Sequence, residues 1–83
     1  MKLSSHVTIA ETDSGAVLLD ERAGRYWQLN DTGILVVRCL LAGGSVETAV
    51  ALLRERFLHT DQEAATDVAR LVTMLRQAEL VTA

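Results

Sequence analysis

The spacing of apolar residues changes once along this chain of 83 residues, close to Asn30. Before that point, short runs such as residues 6–10 alternate apolar with polar side chains, which is typical of half-buried β-strands. After it, apolar residues recur every three or four positions, which is typical of amphipathic helices. A single change of period predicts a strand-rich part followed by a helical part, packed as two layers of one small domain.

Three strands are predicted, at about residues 6–11, 16–20 and 25–29. The turns between them contain Asp13-Ser14-Gly15 and Gly24, which supply side-chain hydrogen bonds and positive backbone φ angles. Asp20 is interpreted as a solvated charge in the second turn. An antiparallel meander of this size needs a helical layer over one of its faces.

Three helices are predicted, at about residues 31–42, 45–57 and 61–79. Asn30 and Ser45 stand at N-cap positions, and Gly43-Gly44 follows the first helix, where a C-terminal glycine is favoured. Three strands followed by three helices predict an α+β fold, specifically a winged helix-turn-helix.

The third predicted helix is apolar over an arc of roughly 220°, which is wider than one core requires. One interpretation places this helix between the sheet and the other helices, so that its whole apolar arc is buried. The other leaves part of the arc open as a groove for a partner, lined by Asp67, Arg70, Leu71 and Met74.

Composition argues against an enzyme, a metal site or a cofactor. The chain has one cysteine, Cys39, and its histidines, His6 and His59, are interpreted as surface residues far apart in sequence. The net charge of −3 does not favour binding to nucleic acid or to an anionic membrane surface. No apolar run is long enough to span a membrane, and the N-terminus lacks the apolar stretch of a signal peptide. We therefore expect a non-catalytic cytoplasmic module.

Three segments resemble a known family. They are residues 18–21 (LLDE), 24–33 (GRYWQLNDTG) and 40–47 (LLAGGSVE), and residues 67–76 also match the third helix of that family. The chain resembles the PqqD-like family, the recognition elements for precursors of ribosomally synthesised, post-translationally modified peptides (RiPPs). It is most similar to the short free-standing type used in lasso peptide biosynthesis. Glu79 departs from the pattern, since related sequences often carry glycine there.

The resemblance implies that the chain binds the N-terminal leader of a precursor peptide. The leader would pair as an added strand with the third strand and pack beside the third helix. The precursor would then pass to a separate transglutaminase-like cysteine protease, which removes the leader. The sequence does not decide which face of the third strand lines the groove, so residues of both faces are candidates. The predicted peptide-binding residues are Arg25, Tyr26, Trp27, Gln28, Leu29, Asp67, Val68, Arg70, Leu71, Met74 and Leu75.

Two alternatives remain open at this point. The chain could serve a different RiPP-modifying enzyme, such as a radical-SAM enzyme, because the leader-binding chemistry would be the same. It could also be a DNA-binding winged-helix protein, since the fold alone does not exclude this. The third helix argues against DNA, because its acidic residues outnumber its arginines.

Overall fold

Two small sheets and three helices make up the structure, a computed structural model that describes residues 1–82. The elements are β1 (Lys2–Leu3), β2 (Val7–Thr12), β3 (Gly15–Asp20), β4 (Arg25–Leu29), α1 (Asp31–Leu41), α2 (Val46–Arg56), α3 (Asp61–Gln77) and β5 (Val81–Thr82). The predicted α+β arrangement, a three-stranded antiparallel sheet followed by three helices, is confirmed and is winged-helix-like. No helix within residues 1–82 is long and apolar enough to cross a membrane.

The main sheet has the strand order β2-β3-β4, with both pairs antiparallel. Alternate residues of β3 are buried: Ala16 pairs with Leu29 of β4, and Leu18 pairs with Trp27. This alternation turns one face of the sheet toward the helices, although the apolar run at residues 16–19 did not show it in the sequence. Within the described residues, β4 has β3 as its one strand neighbour, so its outer edge is unpaired.

Gly15 brings the β2–β3 turn against the end of β4. Its φ of 146° lies in a region that L-residues rarely adopt, and a Cβ there would lie 1.9 Å from the carbonyl oxygen of Leu29. Glycine is therefore required at this position, because the two backbones approach too closely for any side chain.

Asp20 is buried, and the interpretation of it as a solvated charge was wrong. Its Oδ1 accepts hydrogen bonds from the backbone N–H groups of Arg22 and Ala23, both at 3.0 Å, and organises the β3–β4 turn. The bond from Ala23 lowers the pKa of the Asp20 carboxyl, and nearby His6 and Arg22 lower it further, against the opposing effect of burial. His6 is half-buried, with its Nε2 3.8 Å from Asp20 Oδ1.

The helices begin at side-chain caps. Asn30 Oδ1 accepts from the N–H of Gly33 at 2.9 Å, and Ser45 Oγ accepts from the N–H of Thr48 at 3.1 Å, as predicted. Thr60 caps α3 in the same way. Each cap satisfies a backbone donor that would otherwise lack a partner within the helix.

Two apolar clusters form the core. The first lies between the sheet, α1 and the end of α3, and contains the buried residues Val7, Leu18, Leu29, Val37, Leu75 and Leu80. The second lies among the three helices and contains Val36, Leu40, Ala49, Leu53, Ala64 and Val68. Half-buried Leu71 of α3 packs against both clusters and so joins the sheet layer to the helical layer.

The chain ends meet in a second sheet that was not predicted. β1 pairs antiparallel with β5, and Ser4 donates from its N–H to the carbonyl of Leu80 and from its Oγ to the carbonyl of Glu79, both at 2.9 Å. Strands of two residues are too short to show a period in the sequence. This pairing ties the N-terminal segment to the end of α3.

Two helices end in the same Schellman geometry. After α1, Gly43 takes a φ of 94°, and the N–H of Gly44 donates to the carbonyl of Cys39. After α3, Glu79 takes a φ of 58°, and the N–H of Leu80 donates to the carbonyl of Leu75. Glycine adopts this left-handed conformation without strain, whereas glutamate does so at a cost.

Replacing Glu79 with glycine is therefore expected to stabilise the fold. Glu79→Gly relieves the left-handed strain but removes the exposed ion pair of Arg22 with Glu79, so we expect a net gain of about 0.5–1 kcal/mol in unfolding free energy. Urea denaturation monitored by circular dichroism measures the unfolding free energies of the variant and of wild type. Arg22→Gln is the control, because it breaks the ion pair and leaves the backbone unchanged. A Glu79→Gly protein less stable than Arg22→Gln would contradict this account.

The buried Asp20 carboxylate should make stability depend on pH. Because its folded-state pKa lies below the ordinary value of 3.8, the ionised carboxylate stabilises the fold above that pH, and this contribution disappears as the pH falls through the folded pKa. Asp20→Asn should lower the urea midpoint at neutral pH, and the difference from wild type should shrink in acid. Asp13→Asn, at an exposed turn position, is the matched control. If the urea midpoints of Asp20→Asn and wild type differed by the same amount in acid as at neutral pH, the negative charge of Asp20 would not be the cause.

Candidate functional site

The inward face of β4 is the one that carries Arg25, Trp27 and Leu29. Leu29 is buried in the first core cluster and Trp27 packs against it, whereas Tyr26 is 66% exposed on the opposite face. Side chains of this face therefore point toward the helices, and Gln28 of the opposite face also lines the space beside α3. The unpaired edge of β4 lies beside the flank of α3, and side chains from both elements line the space between them.

That space, the β4–α3 groove, consists of two adjoining pockets that share Arg70 and Met74. The large pocket, with a volume of about 710 Å³, is lined by Thr12, Ser14, Ala16, Val17, Gln28, Leu29, Asn30, Thr32, Gly33, Val36, Leu53, Asp67, Arg70, Leu71 and Met74. The small pocket, of about 540 Å³, is lined by Arg25, Trp27, Ala69, Arg70, Thr73, Met74, Gln77 and Ala78. Together they could accommodate several residues of an extended peptide along β4.

The wide apolar arc of α3 divides into two parts. Ala64, Val68 and Leu75 are fully buried and fix the helix against the core. Leu71 and Met74, on one flank of that buried stripe, are half-buried and line the groove. The arc is therefore neither wholly buried nor wholly open, and each of the two interpretations describes part of it.

Charged side chains differ between the two pockets. In the large pocket, Asp67 Oδ2 lies 3.6 Å from Nε2 of His59, in the loop between α2 and α3. In the small pocket, Arg25 lies over the ring of Trp27, with its Cζ 5.4 Å from the ring centroid, which is a cation–π geometry. Within residues 1–82, no acidic residue lines the small pocket.

The structure brings most of the predicted site residues together. Those that line the groove are Arg25, Trp27, Gln28, Leu29, Asp67, Arg70, Leu71 and Met74. Val68 and Leu75 instead lie in the core with no exposed surface, and Tyr26 points away from the groove toward solvent. Val68 and Leu75 therefore support the groove from beneath, where a ligand cannot contact them without rearrangement of the core.

Sequence reasoning missed two polar residues of the small pocket, Thr73 and Gln77. They follow Arg70 by three and seven positions on α3, so helical periodicity places them on the same face. The apolar pattern did not select them because both are polar. Their spacing of three and seven positions from Arg70 was the feature of the sequence that could have identified them.

The histidines and the cysteine of the described residues lie apart from one another in the fold. No cluster of histidine, cysteine, aspartate and glutamate side chains within residues 1–82 is suited to hold a metal ion. Half-buried Cys39 packs against the helical core cluster, while His6 and His59 each face an aspartate. The groove offers a partner the backbone edge of β4, apolar side chains, the Asp67 carboxylate and the guanidinium groups of Arg25 and Arg70.

An unpaired strand edge over an apolar groove defines a winged-helix-like protein suited to binding an extended peptide. Comparison with known families agrees, since the profile described as Coenzyme PQQ synthesis protein D (PqqD) matches residues 15–81. The chain belongs to the PqqD family. A comparison with curated protein sequences found no match.

Two solved structures are similar over nearly the whole chain. One is described as "Lasso peptide synthetase B1 complexed with the leader peptide"; it is 39% identical with a TM-score of 0.90, over 99% of this chain and 96% of that one. The other is "TbiB1 in Complex with the TbiA(beta) Leader Peptide", 26% identical with a TM-score of 0.84, over 96% of this chain and 93% of that one.

Proposed function

We propose that this protein binds the leader region of a ribosomally synthesised precursor peptide by strand addition to β4. The observation that carries the proposal is the unpaired edge of β4 beside the β4–α3 groove. Both similar solved structures are described as complexes with a leader peptide, which supports the same role here. The leader is the added strand, and its inward side chains occupy the two pockets.

The energetics of such binding depend on side chains as well as on the backbone. About four backbone hydrogen bonds, at ~0.5–1.5 kcal/mol each, do not offset the cost of association. One or two apolar leader side chains buried against Leu71 and Met74, at ~1.5–3 kcal/mol each, bring the total toward sub-micromolar affinity. The backbone thus supplies the docking mode, and the groove supplies most of the affinity and selectivity.

We further propose that the bound precursor is delivered to a separate transglutaminase-like cysteine protease, which removes the leader in lasso peptide biosynthesis. The protein itself acts in the cytoplasm as a non-catalytic recognition partner. The similarity to a lasso peptide synthetase B1 over 99% of the chain favours this pathway over service to a radical-SAM enzyme.

A charge in the groove should abolish most of the leader affinity. Met74→Glu places a carboxylate where both pockets meet, so binding of the fluorescein-labelled leader of the cognate precursor should weaken by more than about tenfold, or ~1.4 kcal/mol. Fluorescence anisotropy measures the dissociation constant. Met74 is a better test than Leu71, because Leu71 packs against both core clusters and its replacement would threaten the fold.

The control for this substitution is Thr66→Glu, which adds the same charge to an exposed position of α3 outside both pockets. It should bind the leader as wild type does. Both variants must retain the native circular dichroism spectrum and urea midpoint. Wild-type affinity of a folded Met74→Glu protein would contradict the proposed site.

The purified protein should not cleave the precursor by itself. It should accelerate cleavage by the partner protease, because joining two binding sites raises the local substrate concentration, an effect worth about 10²–10⁴-fold. Cys39→Ala should leave this stimulation nearly unchanged, since Cys39 packs against the helical core. Precursor cleavage by the isolated protein that is lost in Cys39→Ala, or a protease equally fast without this protein at low precursor concentration, would contradict the proposal.

A further inference from the structure

We propose that the small pocket binds an acidic side chain of the peptide, held between Arg25 and Arg70. The inference rests on the proposed function, since it assigns chemistry to one part of the leader that occupies the groove. It applies to the small pocket alone, since the apolar side chains of the leader occupy the large pocket.

Ion pairs within residues 1–82 leave the two arginines of the small pocket uncompensated. Arg22, Arg38 and Arg54 each pair with a carboxylate, namely those of Glu79, Glu11 and Asp61. Among residues 1–82, Arg25, Arg56, Arg70 and Arg76 take part in no ion pair, although the chain carries a net charge of −3; of these four, Arg25 and Arg70 line the groove. Both of these arginines line the small pocket. Two uncompensated positive charges in one pocket favour an occupant with a negative charge.

Arg25, in the small pocket, is held over an aromatic ring. Its guanidinium lies 5.4 Å from the centroid of the Trp27 ring, so the aromatic face partly shields it from water and restricts its rotamers. A guanidinium held in this way loses less entropy when it donates two parallel hydrogen bonds to a carboxylate. Arg70 approaches the same space from α3, so the acidic group would be contacted from the strand and from the helix.

The acidic residue of the groove itself does not satisfy these charges. Asp67 lines the large pocket and not the small one, and its carboxylate faces His59 at 3.6 Å. The two pockets therefore differ in charge: the small one contains Arg25 and Arg70 without a carboxylate, whereas the large one contains Arg70 together with Asp67 and apolar residues. An acidic leader residue is favoured in the first and disfavoured beside Asp67 in the second.

The sheet geometry also fixes where the acidic residue stands in the peptide. Arg25 and Leu29 lie four residues apart on the same face of β4, which corresponds to about 13 Å along a strand. Side chains of an added strand alternate between faces with a period of two. The acidic residue should therefore be separated by an even number of positions from the apolar residue that fills the large pocket.

Selection from a displayed library of random peptides, long enough to span both pockets, tests this inference. Wild-type protein should enrich peptides with an apolar residue and, an even number of positions away, Asp or Glu. The double variant Arg25→Gln/Arg70→Gln should still enrich the apolar residue but lose the acidic preference. Arg76→Gln is the matched control, because Arg76 is an exposed α3 arginine outside both pockets and without an ion pair.

The outcomes separate this inference from the proposed function. Enrichment of apolar residues without any acidic preference, or an acidic preference that survives in the double variant, overturns the acidic subsite and leaves peptide binding intact. Failure to enrich any peptide overturns the proposed function and the subsite with it. For a selected peptide, changing its acidic residue to the amide should weaken binding to wild type by about tenfold and to the double variant by less than about twofold.

Discussion

The packing of α3 is the constraint on which the rest of the structure depends. Val68 is buried among the three helices and Leu75 under the sheet, while Leu71 contacts both clusters. With these residues fixed, the next flank of the helix, which carries Arg70 and Met74, must face the side of β4 that has no strand neighbour. The groove is thus a consequence of how the core is filled, and it persists without a bound partner because the core holds both of its walls.

An unpaired strand edge exposes the protein to unwanted pairing with other chains. β4 is only five residues long and carries polar or charged side chains at Arg25 and Gln28, which limits indiscriminate association. The same edge becomes useful when a groove beside it selects among extended peptides by their side chains. Backbone pairing with β4 is possible for many peptide sequences, and the pockets bind only those with suitable side chains.

The elements and caps were predictable because their causes are local. Two strands were predicted from alternating apolar residues and the strand at residues 16–20 from a short apolar run between turns, while Asn30 and Ser45 marked helix starts that the structure contains. What could not be predicted depends on tertiary packing: the inward face of β4, the burial of Asp20, and the pairing of β1 with β5. Apolar periodicity placed Val68, Leu75 and Met74 within one wide arc of α3, and it cannot separate a core-facing residue from one that lines an open groove.

Backbone amide hydrogen exchange, resolved by residue, tests the central claim most directly. The sheet has a second unpaired edge on β2 (Val7–Thr12), which serves as an internal control for the edge on β4 (Arg25–Leu29). When the leader of the cognate precursor is added, amides of β4 should exchange more slowly, while those of β2 should be unchanged. Protection confined to β2, or leader binding that leaves exchange in β4 unaltered, would contradict the account.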